Sequence, residues 1–427
     1  MKKAVVSFLA LFGFLYCSLP AVANDGTVAF VGATIIDGTE AEPLEDGVLV
    51  ITEGRIRSVG PRSEVTLPEG AEIVDVSGKY IMPGLINAHG HVGATVGLNG
   101  NGGYDRNNLL RQLGLYARYG VTAVNSLGGD QEDGFELRNE QFSKDLNRAR
   151  IYVAGSVVVG DSEQAIRDEV NRNADMGADF IKVRIDDNLG ATQKMPRPFF
   201  EALVEQAHTR RLPVAVHLYY LDDAKFMLDV EADIIAHSIR DLPVDQELID
   251  MVNSSDTCYI PTLTREVSTY VYESVPDFFE DPYFLKEVEP AIVEELSTPE
   301  RMSRVADSRS AQIYKAQLPT AMENVGTLHN AGVRVAMGTD TGPPARFQGY
   351  FEHMEMHMMV DAGMSPLEAI RASTGVAADC IGMGDIGTLE PGKWGDFSVL
   401  IENPAADIRN SHSIESVYIA GNRVPEE

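Results

Sequence analysis

Two histidines one residue apart close the apolar run Ile81-Met82-Pro83-Gly84-Leu85-Ile86-Asn87-Ala88-His89-Gly90-His91. A Pro-Gly turn signal followed by apolar residues predicts a short buried strand here. On a strand, residues two apart face the same way, so both imidazoles point to one spot. Neutral imidazole is a common ligand for transition metals. A His-x-His pair alone fits two unrelated loop histidines equally well, so its meaning depends on what else reaches that spot.

Four further apolar runs carry a residue that binds metal or moves protons. They are Lys182 in Phe180-Ile181-Lys182-Val183-Arg184-Ile185, His217 in Val214-Ala215-Val216-His217-Leu218-Tyr219, His237 in Ile234-Ile235-Ala236-His237-Ser238 and Asp340 in Met337-Gly338-Thr339-Asp340-Thr341. A lone histidine on an apolar run is most often a satisfied core residue. So many coincidences at equivalent places argue otherwise. Phe180, Lys182 and Arg184 share a face. A lysine among Phe, Ile and Val must reach out to water or lose its charge. A neutral amine of that kind reacts with carbon dioxide, and the carbamate is an anionic bridging ligand like a carboxylate.

These side chains need a scaffold that gathers strand ends. Eight candidate strands run over Leu85–Val92, Val121–Ser126, Ile151–Val159, Phe180–Ile185, Val214–Tyr219, Ile234–Ile239, Cys258–Thr264 and Val333–Asp340. Helical stretches alternate with them, which predicts a parallel sheet. Eight such units make a closed (β/α)8 TIM barrel, whose functional residues gather at the C-terminal strand ends. An open doubly wound sheet is the alternative. No Gly-x-Gly-x-x-Gly follows the first strand, so dinucleotide binding has little support. Short β runs over 28–76 and 396–421 predict one small β-sandwich built from both ends of the mature chain. The expected division is a signal peptide over 1–23, sandwich over 24–82, barrel over 83–388 and sandwich over 389–427. Residues 265–332 are rich in Glu, aromatics and helix formers, which predicts helices near the barrel mouth, as a lid or as surface decoration.

At 427 residues, 44% hydrophobic and 23% charged, the composition is that of a folded globular protein. A formal charge of −29 repels phosphates and argues against a nucleic-acid partner. Lys2 and Lys3, the apolar run Ala4 to Leu19 and the small residues of Ala21-Val22-Ala23 predict a secretory signal. The mature protein is then secreted or periplasmic, with no membrane span. The apolar surroundings of Cys258 and Cys380 predict buried free thiols rather than a disulfide or a zinc site.

Taken together, Pro83 to His91, Gly177-Ala178-Asp179-Phe180-Ile181-Lys182, Val214 to His217, Ile235 to Ser238, Gly338-Thr339-Asp340 and Glu390-Pro391-Gly392-Lys393-Trp394-Gly395-Asp396 resemble the amidohydrolase superfamily. They are most similar to its imidazolonepropionase-like and Xaa-Pro dipeptidase-like branch. The resemblance covers nearly all of the mature chain and departs at Asn87, where the family often has Asp. It implies that His89, His91 and Asp340 bind the more buried of two zinc ions. It implies that His217 and His237 bind the second, with carboxylated Lys182 and a hydroxide bridging the pair. Zinc prefers N and O donors, and two metals acidify a water and polarise a carbonyl. Asp340 is then the catalytic general base and acid. The implied reaction is hydrolysis of a C–N bond in a small amide or dipeptide-like substrate. The alternatives are a mononuclear ring-opening or deaminating enzyme, favoured by the segment His217 to Ala224, and a lactonase or organophosphate hydrolase. A non-catalytic assembly protein is a further one, against which the complete ligand set argues. Homo-oligomers are common in such families.

Four residues are expected at the substrate. Tyr219 shares a face with His217 and can donate to a developing oxyanion. Arg184 and Arg240 can grip a carboxylate through two parallel hydrogen bonds. His353 is placed near the mouth. His353 and His357 stand four apart on a predicted helix, a spacing that can hold a metal but lies outside the barrel. The glycine-rich segment Gly97 to Gly103 is expected as a mobile active-site loop.

Overall fold

A computed structural model of the chain describes residues 26–426, so the expected signal segment lies outside the described residues. Five strands open it: β1 (Val28–Ile35), β2 (Leu44–Thr52), β3 (Arg55–Pro61), β4 (Glu72–Asp75) and β5 (Tyr80–Pro83). Seven parallel strands follow: β6 (Leu85–Gly90), β7 (Val121–Ser126), β8 (Arg150–Val153), β9 (Ile181–Arg184), β10 (Val214–His217), β11 (Ile234–Ala236) and β12 (Cys258–Ile260). Three short strands close the chain: β13 (Phe397–Leu400), β14 (Ile414–Ile419) and β15 (Asn422–Arg423).

β6, β7 and β8 form one parallel sheet, and β9 to β12 form another. Single bridges join them into a ring. Val158 pairs with Val183 on one side; on the other, Val335 pairs with Tyr259 and Thr341 with Gly90. The result is a (β/α)8 barrel of seven regular strands and one irregular segment. β6, β7 and β8 are buried at every position, as parallel strands covered on both faces should be. Only Val121–Ser126 keeps its expected bounds; the other expected strands are shorter than their apolar runs, and the third and eighth depart most. The third leaves the sheet at Gly155, whose φ of 73° suits no extended strand, and returns only at Val158. The eighth, expected over 333–340, makes bridges but no ladder. Gly338 lies so close to His89 that a Cβ would meet its backbone nitrogen at 2.9 Å, and Asp340 turns to φ 56°. Close approach to the site replaces regular pairing there.

Both chain ends meet in one sheet of order β15-β14-β13-β5-β1-β2-β3, with β4 also on β1. Its strands are hydrogen-bonded continuously, and the sheet encloses the core of the small β domain expected from both ends. Phe30, Leu49, Ile51, Phe397 and Val399 fill its core. A buried ion pair fastens it to the barrel. Arg150 on β8 holds Asp396, just before β13, by Nε–Oδ2 at 2.6 Å and Nη2–Oδ1 at 3.0 Å.

The residues between β12 and the eighth segment are helical, ending in the long helix Arg309–Asn330. Tyr272, Phe279, Phe284 and Leu296 from this insertion bury against Tyr119, Tyr350 and Phe351. Cys258 and Cys380 are not free thiols. They form a disulfide with Cα atoms 5.8 Å apart, joining β12 to the helix Gly375–Cys380. Apolar surroundings suit a disulfide as well as a thiol, and only the packing brings the two sulfurs together. No helix among the described residues is long and apolar enough to cross a membrane.

Candidate metal centre

β6 carries His89 beside its last residue, Gly90, and presents His91 just beyond it. β9 carries Lys182, β10 ends at His217, His237 follows β11, and Asp340 ends the eighth segment. All six line one pocket of 400 Å³. Donor atoms of His89, His91 and Asp340 lie within 4.8 Å of one another. His91 Nε2 is 2.9 Å from Asp340 Oδ1, and Lys182 Nζ is 3.4 Å from His89 Nε2. The His237 ring stands 4.5 Å from that of His89 and 4.2 Å from that of His217, centre to centre.

The nitrogens that face away from this cluster are held from behind. His91 Nδ1 donates to Gly128 O at 3.1 Å, and His237 Nδ1 pairs with Thr262 Oγ1 at 2.7 Å. His217 Nε2 sits 3.4 Å from Asp186 Oδ2. Such outer partners fix ring orientation and tautomer at metal sites. Asn87 acts one step further back. Its Oδ1 accepts from His89 N at 3.0 Å, and its amide donates to Thr339 Oγ1 at 2.8 Å and Glu352 Oε1 at 2.6 Å. It sets the backbone of β6 against the eighth segment and touches neither ring. His237 (φ 98°), Thr262 (φ 52°) and Asp340 (φ 56°) all take left-handed backbone, a strain that clusters at functional sites.

Burial decides the charge states. It pushes the Lys182 amine down to about 7 and the His217 imidazole down to about 3. It also holds His89 and His237 well below the ordinary imidazole range. Burial works against the Asp340 carboxylate, yet the Arg346 guanidinium and the two neighbouring histidines keep it well below the usual range. The pocket therefore offers neutral imidazoles, a readily deprotonated amine and an ionised carboxylate. Neutral nitrogen and anionic oxygen donors converging on one point are what a divalent ion such as zinc requires, so the residues fit the metal that the sequence pattern implies.

Three of the four expected substrate residues lie elsewhere. Tyr219 turns its hydroxyl to Gln317 on the long helix and packs under Arg240. Arg240 is 1% exposed and bonds Ser238 O and Glu266. His353 is buried behind the barrel wall, its Nδ1 at 2.9 Å from Ser411 Oγ and its Nε2 at 2.8 Å from Tyr119 O. Tyr219 and Arg240 lie beyond the ends of β10 and β11, where strand alternation no longer governs direction, and His353 sits on the helix Tyr350–Asp361 with its side chain packed away from the pocket. Only Arg184 lines the pocket, and Arg265 and Arg346 join it. Neither of these two was found from sequence, though Arg265 follows strand seven and Arg346 lies six residues after Asp340. Asp186, Thr262 and Glu352 were also missed.

The amidohydrolase family model matches residues 80–424. A 5-methylthioadenosine/S-adenosylhomocysteine deaminase of Bacillus cereus is 24% identical over 392 residues, covering 86% of this chain and 84% of its own length. Among solved structures, a Xaa-Pro dipeptidase with bound methionine superposes with a TM-score of 0.74 at 19% identity, covering 93% of this chain and 99% of that one. Phenylurea hydrolase B does so with a TM-score of 0.72 at 24% identity, covering 94% and 97%. At these identities the structural likeness speaks for the fold. The extent of the family match, with histidines and an aspartate gathered at the barrel's strand ends, settles the wider question: the chain belongs to the amidohydrolase family, hydrolases that act on carbon–nitrogen bonds.

Proposed function

We propose that the protein hydrolyses the C–N bond of a small linear amide or dipeptide-like molecule with two divalent ions, zinc by donor chemistry. His89, His91, Lys182, His217, His237 and Asp340 are their ligands. The observation that carries this reading is the convergence of those six side chains from five strand ends on one pocket, with Lys182 Nζ 3.4 Å from His89 Nε2. Lys182 takes up carbon dioxide as its neutral amine. The nitrogen bonds the carbon and releases one proton to water, leaving a carbamate. When bound, the ions acidify a water and polarise the scissile carbonyl. Asp340 accepts the proton lost on attack and hands it to the leaving nitrogen. Arg346 keeps that carboxylate ionised and aimed, the Gly128 carbonyl holds His91 in one tautomer, and Thr262 orients the His237 ring.

A second reading has one specific support, the deaminase likeness across most of the chain. It gives a single metal and release of ammonia or opening of a ring. Metal analysis of the purified protein separates the two. Two equivalents of zinc, together with hydrolysis within a panel of dipeptides, N-acyl amino acids and cyclic amides, support the first. One equivalent with ammonia release supports the second. Activity that survives complete chelation sinks both. A secreted or periplasmic location fits the disulfide, since such bonds persist in oxidising compartments.

A further inference from the structure

Behind the metal pocket one carboxylate gathers donors from two separate elements. Glu352, on the helix Tyr350–Asp361, is fully buried and forms no ion pair among the described residues. Its Oε1 accepts from Asn87 Nδ2 at 2.6 Å, from Thr339 Oγ1 at 2.8 Å and from Thr341 Oγ1 at 2.6 Å. Its Oε2 accepts from Gly349 N at 2.6 Å. Each hydroxyl has one proton, which fixes the remaining directions. Tyr116 lies 2.7 Å from Thr341 Oγ1 and donates to it, because the threonine proton is already on the carboxylate. The second amide proton of Asn87 goes to Thr339 Oγ1 at 2.8 Å. All these protons run toward Glu352, directly or through a threonine, so this place calls for a pure acceptor. A buried charge is costly unless its hydrogen bonds are complete, and here they are.

The donors are neighbours of metal ligands. Asn87 stands two before His89 and accepts from its backbone N–H at 3.0 Å. Thr339 and Thr341 flank Asp340, whose backbone is left-handed at φ 56°. The N–H groups of Asp340 and Thr339 in turn donate to His89 O at 2.7 and 3.0 Å. Between these two elements a single bridge, Gly90 to Thr341, stands in place of a ladder. The side-chain network supplies the registration that strand pairing does not.

The geometry points to Glu352 as a positioning residue of the metal centre: through Asn87, Thr339 and Thr341 it sets the spacing between His89 and Asp340, with residues 87 and 352 a matched donor–acceptor pair. The inference rests on the proposed function for the role of the two ligands it spaces. Aspartate at 87 would face the Glu352 carboxylate and put two like charges in contact. Exchanging both residues restores the match. A glutamine at 352 can turn its Nε2 to the carboxylate at 87 and keep its carbonyl for Gly349 N.

The test is zinc affinity, by competition with a chelator, for wild type, Asn87→Asp and the exchange variant Asn87→Asp/Glu352→Gln. Asn87→Asp should weaken zinc binding about 10- to 100-fold, as loss of an outer partner does. Adding Glu352→Gln should return most of it. Wild-type affinity in Asn87→Asp overturns the inference, even where denaturation of the metal-free variant shows lost stability, since the pair is then merely structural. A loss of affinity that the second substitution does not relieve overturns it too. Should Asn87→Asp fail to fold by circular dichroism, the exchange variant decides. Folding with zinc affinity near wild type supports the pair, and failure in either counts against it. Wild-type protein that takes up no zinc sinks the proposed function, and this inference with it; the pattern among the variants judges this inference alone.

Discussion

Lys182 and Asp340 have opposite electrostatic tasks in one small space. Burial strips the lysine of its proton, while Arg346 and the neighbouring histidines protect the charge on the aspartate against the same burial. Asp340→Asn keeps the shape and removes the proton acceptor. It should lower kcat by at least about 100-fold, the worth of a general base, measured on any substrate the panel yields. Thr262→Ala takes away the partner of His237 Nδ1 without touching the pocket. Zinc affinity, measured by competition with a chelator, should fall about 10- to 100-fold. Unchanged affinity would mean that the His237 ring is oriented by packing alone.

At the scale of elements, the barrel is weakest where it serves the site. The eighth segment has two bridges in place of a ladder, and other devices hold it. The helix Tyr350–Asp361 sends Glu352 to Thr339, Thr341 and Asn87 and, one turn on, Glu355 to the backbone of Leu263 and Thr264. One helix thereby clamps the loops after strands seven and eight. The Cys258–Cys380 disulfide ties β12 to the helix that closes the barrel, across 122 residues. Replacing both cysteines by serine should cost about 2–5 kcal/mol in chemical denaturation, as removal of a long-loop disulfide does. Reductant should shift the wild-type midpoint in the same direction and leave the variant's midpoint unmoved.

Across the whole molecule, the insertion, the barrel and the C-terminal segment meet at three histidines. His353 and His357 come from the helix after the eighth segment, and His412 from the last part of the chain. His412 stacks on Tyr283 of the insertion at 4.1 Å and lies 5.0 Å from His357. Burial lowers all three imidazoles, His412 to about 4. Each is neutral when folded, while in the unfolded chain it takes a proton near 6.5. The folded state therefore binds fewer protons. Their contribution is full above pH 6.5 and is lost as pH falls below it; for His412 the loss runs down to about pH 4, at up to about 1.4 kcal/mol per pH unit. Denaturation midpoints at pH 7, 6 and 5 should show this loss, and His412→Gln should shallow the slope. An equal slope in the variant would place the acid sensitivity elsewhere.

The sequence by itself determined the scaffold and the identity of the candidate ligands. Apolar runs of strand length, with helical stretches between them, encode a parallel barrel through local periodicity. His89, His91, Lys182, His217, His237 and Asp340 stand at or near the ends of those runs, so counting runs was enough to gather them. Tertiary structure alone decided what local pattern does not carry. Tyr219, Arg240 and His353 turn away from the pocket because loop backbone and helix packing, not strand alternation, aim them. Arg265 and Arg346 turn into it for the same reason. The disulfide depends on two segments 122 residues apart coming within reach, and the left-handed backbone at His237, Thr262 and Asp340 has no signature in local periodicity. Periodicity describes a residue's direction within its own element; contact between elements settles which other charges and donors it meets.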